Sequence, residues 1–99
     1  MVQVLEKVTK EELGRRLSMI RAYLELTLED VESRSAALGD RIPTSTLSGY
    51  ERGHRFPPLE RLTTLCRCYD GADMGALLSS EPDWFSRVWS NPDLLVSAA

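Results

Sequence analysis

The sequence predicts an all-α chain, with five helices between residues 10 and 78 and a sixth beyond them. Three observations carry this. Apolar residues recur at spacings of three and four through nearly the whole chain, and no stretch alternates well enough to read as a strand. Thr9, Thr27 and Asp73, residue types that satisfy free amides at helix starts, stand ahead of helical stretches. Gly, Pro and Asp punctuate the chain at 39–43, 53–58 and 70–71.

The elements follow in order. Residues 1–9 form an N-terminal arm that ends in Thr9-Lys10-Glu11-Glu12, which has the form of a capping box. Leu13, Leu17, Ile20 and Leu24 then make one apolar stripe, placing the first helix at about 10–25. Thr27 caps a second helix at 28–36, with Glu29 and Asp30 in a first turn that favours negative charge and Leu28 and Val31 held inward. Ala37 to Pro43 is turn-rich. A third helix spans 44–52, with Leu47 and Tyr50 inside and Gly53 as its stop. Pro57-Pro58 opens a fourth at 58–69, whose apolar face reads Leu59, Leu62, Leu65, Cys66 and Tyr69. Asp70-Gly71 ends it, and Asp73 caps a short fifth helix through Leu78. Glu81 to Trp89 reads as the sixth, with Trp84, Phe85, Val88 and Trp89 on one broad face. Asn91-Pro92 breaks it, and Leu94-Leu95-Val96 adds a short apolar end.

Composition bounds the function. With 99 residues, 42% of them hydrophobic, the chain can build one core and one domain. No apolar run exceeds three residues, whereas a membrane span needs ~20 and a signal peptide an apolar region of ~7–15. A cytoplasmic chain with no membrane association is expected. Cys66 and Cys68 on one helix point about 200° apart and cannot share a ligand sphere. Cys66 is expected in the core and Cys68 to be incidental, in a reducing compartment. His54 is the only histidine, so no metal site, no cofactor and no enzymatic nucleophile–base pair is expected.

The net charge of −3 hides an asymmetry. Residues 14–67 carry nine arginines against seven acids, while 68–99 carry Arg87 against five acids. Because screening acts over about 10 Å, an acidic chain can still present a locally basic surface to a polyanion.

At the second to fourth helices the residues become specific. Leu26-Thr27-Leu28-Glu29-Asp30-Val31 resembles the opening of helix 2 in the phage-repressor type (Xre/Cro) of helix-turn-helix domain. Thr46-Leu47-Ser48-Gly49-Tyr50-Glu51-Arg52-Gly53 resembles its recognition helix with the closing Glu-x-Gly. Arg55 through Leu62, running on to Leu65 and Cys66, resembles the turn and fourth helix, and Asp73 to Leu78 the fifth. The likeness covers about residues 12–79 and implies a five-helix, lambda-repressor-like domain at 10–79 with an extra C-terminal helix. It departs from the family in two places. Leu28 stands where Gln is usual, and the spacing from Val31 to Leu47 is several residues longer, the surplus lying in Ala36–Pro43.

The resemblance implies a bacterial DNA-binding transcriptional regulator, a repressor that lays its third helix in the major groove of double-stranded DNA as a homodimer. Its base-facing positions fall on Thr44, Ser45, Thr46, Ser48 and Gly49. Phosphate contacts fall on Thr27 and Leu28 at the start of the second helix, on Arg41 in the long turn, and on Arg52, His54 and Arg55 after the third helix. Arg41 can otherwise belong to a solvated loop. The resemblance also turns the Glu51 carboxylate inward, toward backbone or an arginine. Arg15, Arg16, Arg21 and Arg34 suit helix-surface pairs, for example Arg21 with Glu25. Beyond the likeness, the acidic tail at 80–99 offers Trp84, Phe85, Val88 and Trp89 as a dimer or protein-partner interface. On that view, deleting the tail leaves a folded monomer. The alternative packs the tail on the chain's own first and fifth helices. The rival function is a protein-interaction module on the same fold, antitoxin-like or an anti-activator, with DNA binding secondary.

Overall fold

A computed structural model describes residues 8–89 as six helices: α1 Lys10–Tyr23, α2 Leu28–Ala37, α3 Thr44–Glu51, α4 Leu59–Cys68, α5 Met74–Leu77 and α6 Trp84–Arg87. No strand occurs among the described residues, so the fold is all-α. Most of the N-terminal arm, together with Asn91-Pro92 and Leu94-Leu95-Val96, lies outside them. Val8, expected in the arm, belongs instead to the core.

The helix ends show how local chemistry sets the boundaries. At α1 the Thr9 hydroxyl accepts from the Glu12 amide at 3.0 Å, but the Glu12 carboxylate turns to Arg15 and Arg16, so half of the expected capping box forms. At α2 the box is complete: Asp30 N–H donates to Thr27 Oγ1 and Thr27 N–H donates to Asp30 Oδ2. α1, α2 and α3 all end in the same double backbone closure, after which the chain turns through the left-handed region at Glu25, Gly39 and Gly53. Since Glu25 takes that conformation without being glycine, α1 stops at Tyr23 rather than at the expected residue 25.

The core gathers the predicted stripes. Leu13, Leu17 and Ile20 of α1, Val31 of α2, Leu47 and Tyr50 of α3, and Leu62, Leu65 and Cys66 of α4 are all buried together, with Tyr69. α3 packs against both α1 and α2, and α2 also packs against α4. Gly14, which carries no weight in the sequence pattern, decides the closest of these approaches. A Cβ there would lie 2.4 Å from the Tyr50 carbonyl oxygen and 2.6 Å from that of Glu51, so α1 and α3 meet backbone to backbone.

Two assignments on α4 change. Leu59 is 69% exposed because the first turn of α4 projects beyond the core, while Cys68 is buried where α2 covers it, with Arg34 Nη1 donating to its carbonyl at 2.8 Å. Burial pushes the Cys66 thiol up to about 11 and raises that of Cys68 as well.

The expected surface arginines also move. Arg16 is buried: its guanidinium donates to the carbonyls of Leu77 and Ser79 and to Glu12, and lies over the Trp84 ring 4.6 Å from the centroid. Arg34 reaches across to Cys68 and Asp70. Arg21 bypasses Glu25, which has left the helix, and binds Glu51 through two hydrogen bonds of 2.7 and 2.9 Å. That pairing raises the Arg21 pKa and turns the Glu51 carboxylate inward.

The long turn between α2 and α3 is not a free loop. Ile42 is completely buried and its N–H donates to Ser35 Oγ. Asp40 accepts from Arg61 Nε and Thr64 Oγ1 of α4, fixing the point from which α3 departs.

The tail requires the largest correction. The helix expected over 81–89 is one turn, Trp84–Arg87, held by longer i to i+3 bonds of 3.3 Å at each side. Trp84 is 5% exposed and Val88 fully buried, both within the chain's own core, which withdraws them from a dimer or partner interface. Asp73 N–H donates to the Val88 carbonyl at 2.7 Å, and Trp89 Nε1–H donates to the Tyr69 carbonyl. Tyr23 stacks on Trp89 and meets the Phe85 edge, so α6 closes over α1 and α5. Phe85 and Trp89 remain half-buried. Among the described residues no buried side-chain nitrogen or oxygen lacks a partner.

Candidate nucleic-acid interface

α3 is a two-sided helix. Leu47 and Tyr50 anchor it, and Glu51 ties its end to α1 through Arg21. Of the remaining residues Ser45 is exposed and Thr46 and Gly49 are half-buried, and the turn after Gly53 brings His54 and Arg55 alongside them. Together these five residues line one open concavity of about 230 Å³. Gly53 holds the turn in place. Its φ is +77°, and a Cβ there would press within 2.9 Å of the Glu11 Cα, so the start of α1 abuts the end of α3.

Thr44 and Ser48 do not line the concavity, although both are half-buried just as Thr46 and Gly49 are. Of the five residues expected to face bases, Ser45, Thr46 and Gly49 thus line the concavity, and Thr44 and Ser48 do not. Gly49 has open space where a Cβ would project, so nothing inside the fold demands glycine there.

The residues expected to meet phosphate divide as well. The Thr27 hydroxyl and amide are both spent on Asp30, whose carboxyl those bonds hold below its ordinary range. The start of α2 therefore already carries an anion, and the Leu28 side chain packs on the core. The Thr27 amide is therefore engaged within the fold, and at Leu28 only the backbone amide is left for an anion. Arg41 is exposed but paired with Glu32. Arg52, His54 and Arg55 are exposed and have no ion pair among the described residues.

That last observation gains weight from the fate of the other arginines. Of the ten in the chain, Arg15, Arg16, Arg21, Arg34, Arg41, Arg61 and Arg87 are each tied to a carboxylate. Three remain: Arg52, Arg55 and Arg67. Of these, Arg55 lines the concavity and Arg52 is the C-cap residue of α3, and no carboxylate lines the concavity. Sequence position alone could not separate free from committed arginines, because Arg21, Arg34, Arg41 and Arg61 find their carboxylates on other elements of the fold. No group of three His, Cys, Asp or Glu side chains converges on a common point among the described residues, and no helix there is long and apolar enough to cross a membrane. No family model, curated protein or solved structure matches the chain.

Proposed function

We propose that this chain is a sequence-specific DNA-binding transcriptional regulator, a repressor that sets α3 into the major groove from a lambda-repressor-like helix-turn-helix domain. The observation that carries this is the pairing pattern of the arginines: seven of the ten are paired with carboxylates, whereas Arg52 and Arg55, exposed at the end of α3 and in the turn after it, have no ion pair among the described residues. A helix fits the ~12 Å major groove, where Ser45 and Thr46 are short enough to bring the backbone of α3 close. Free cations at the groove edge would position the domain on phosphates and add little sequence information. Action in the cytoplasm as a homodimer on paired half-sites goes with this function. With Trp84 and Val88 buried in the chain's own core, the two-fold contact must come from elsewhere, and among the described residues of the tail the half-buried Phe85 and Trp89 are what it still offers.

The test is salt-dependent duplex binding. With Arg52 and Arg55 acting in both protomers, about four phosphates are neutralised, and log Kd against log salt should have a slope of magnitude roughly 3–4. Arg55→Ala should weaken all sequences alike and flatten the slope by roughly 1–2 units in a dimer. If no genomic fragment is retained at about 50 mM salt, where electrostatic binding is strong, DNA binding is not the function. The protein-interaction module then takes its place.

A further inference from the structure

We propose that the concavity lined by Ser45, Thr46, Gly49, His54 and Arg55 is a seat for a single phosphate group, and that Ser45 and Thr46 are phosphate ligands rather than base readers. This deepens the DNA-binding proposal and rests on it for the source of the phosphate.

The chemistry of the lining carries the inference. Two hydroxyls, an imidazole and a guanidinium are all able to donate, and no carboxylate opposes an anion there. Arg55 and His54 are exposed and have no ion pair among the described residues, so neither gives up such a pair there to bind. At about 230 Å³ and open to solvent, the site is smaller than the ~300–1,000 Å³ pockets that enclose small molecules. It suits a group projecting from a larger molecule.

Gly49 is the second, independent observation. It stands within α3, where glycine weakens a helix, yet no neighbour comes within 4 Å of its missing Cβ. It lines the concavity and adds no side chain to fill it. A base edge reads side chains, and glycine supplies none. A phosphate needs room and donors, and the ring of Ser45, Thr46, His54 and Arg55 supplies them.

The same phosphate chemistry could come from a DNA backbone or from a free phosphate or mononucleotide, and the experiment separates them. Full-length protein is titrated with duplexes that each carry one neutral methylphosphonate. One position per half-site should weaken wild-type binding about tenfold, the scale of one charge-assisted hydrogen-bonded contact. In Arg55→Ala, Ser45→Ala and Gly49→Gln the same methylphosphonate should cost less than about threefold, since the contact is already lost. The order of preference among base sequences should be unchanged in Ser45→Ala. If Ser45→Ala reorders base preference and couples to no methylphosphonate, the assignment is overturned while DNA binding stands. If no duplex binds, DNA binding fails, and the seat is judged by the His54 ring resonances during titration with inorganic phosphate at fixed pH. A saturable shift that chloride does not reproduce and Gly49→Gln abolishes retains the site for a free phosphate. No such shift overturns it.

Discussion

Two glycines in this chain carry opposite physical demands, and a single methyl group tells them apart. Gly14 faces the carbonyls of Tyr50 and Glu51 at distances no Cβ tolerates, and those atoms are backbone. Gly14→Ala must therefore push α1 off α3. Overpacking of this kind costs about 3 kcal/mol at the upper end of its usual range. The melting temperature should fall by roughly ten degrees or more for a domain of this size. Gly49→Ala meets only open space and removes a helix-weakening residue, so it should stabilise by roughly 0.5–1 kcal/mol. Paired thermal melts check both. A Gly49→Ala protein less stable than the parent would mean that this face is covered. Nothing in the sequence pattern separates these glycines, because the difference lies in which helix passes by, a fact of tertiary packing.

At the scale of elements, the helix ends respond to pH and the tail to deletion. Hydrogen bonds from Arg15 and then Arg16 hold the Glu12 carboxyl down at about 2, against its ordinary value near 4.5. The depressed value means that Glu12 contributes stability fully above about pH 4.5 and loses it as the pH falls toward 2. Glu12→Gln should accordingly lower stability at neutral pH, and the gap between variant and parent should close in strong acid. A gap independent of pH would show that packing, not charge, is what the substitution removes. Deleting residues 80–99 is a harsher change. Trp84 and Val88 each bury a large apolar side chain, worth roughly 1.5–3 kcal/mol apiece. Arg16 also loses the ring it lies against. Against a total stability of about 5–15 kcal/mol, the shortened chain should melt at a much lower temperature or show no cooperative transition. A folded shortened chain of full stability would return the tail to an interface role.

Across the whole molecule, the sequence spoke most clearly where chemistry is local. The apolar stripes of α1, α3 and α4 and the caps at Thr9, Thr27 and Asp73 can all be read from neighbours within four residues. Long-range commitments were hidden. Arg16 looks like any helix-surface arginine until Leu77 and Ser79 arrive from the other end of the chain. Arg21 has an acid four residues on, yet its partner is thirty residues away. The candidate site was legible in the same uneven way. Ser45, Thr46, Gly49, His54 and Arg55, all named from the sequence, line one concavity around α3. Thr27 and Arg41 were already bonded within the fold, to Asp30 and Glu32.

The closure of α6 over the core has an optical consequence. Both tryptophans of the chain, Trp84 and Trp89, belong to that closure, and none lies on α2, α3 or α4. Intrinsic fluorescence therefore watches the tail alone, with the Arg16 guanidinium over one indole and the Tyr69 carbonyl bonded to the other. Far-ultraviolet circular dichroism, dominated by the longer helices, watches the rest. Because Trp84 and Val88 share one core with Leu13 and Leu65, the two signals should change at the same temperature, as for a single cooperative unit. An emission change that precedes the loss of helicity would reveal the tail as a clasp that opens while the body of the domain stays folded.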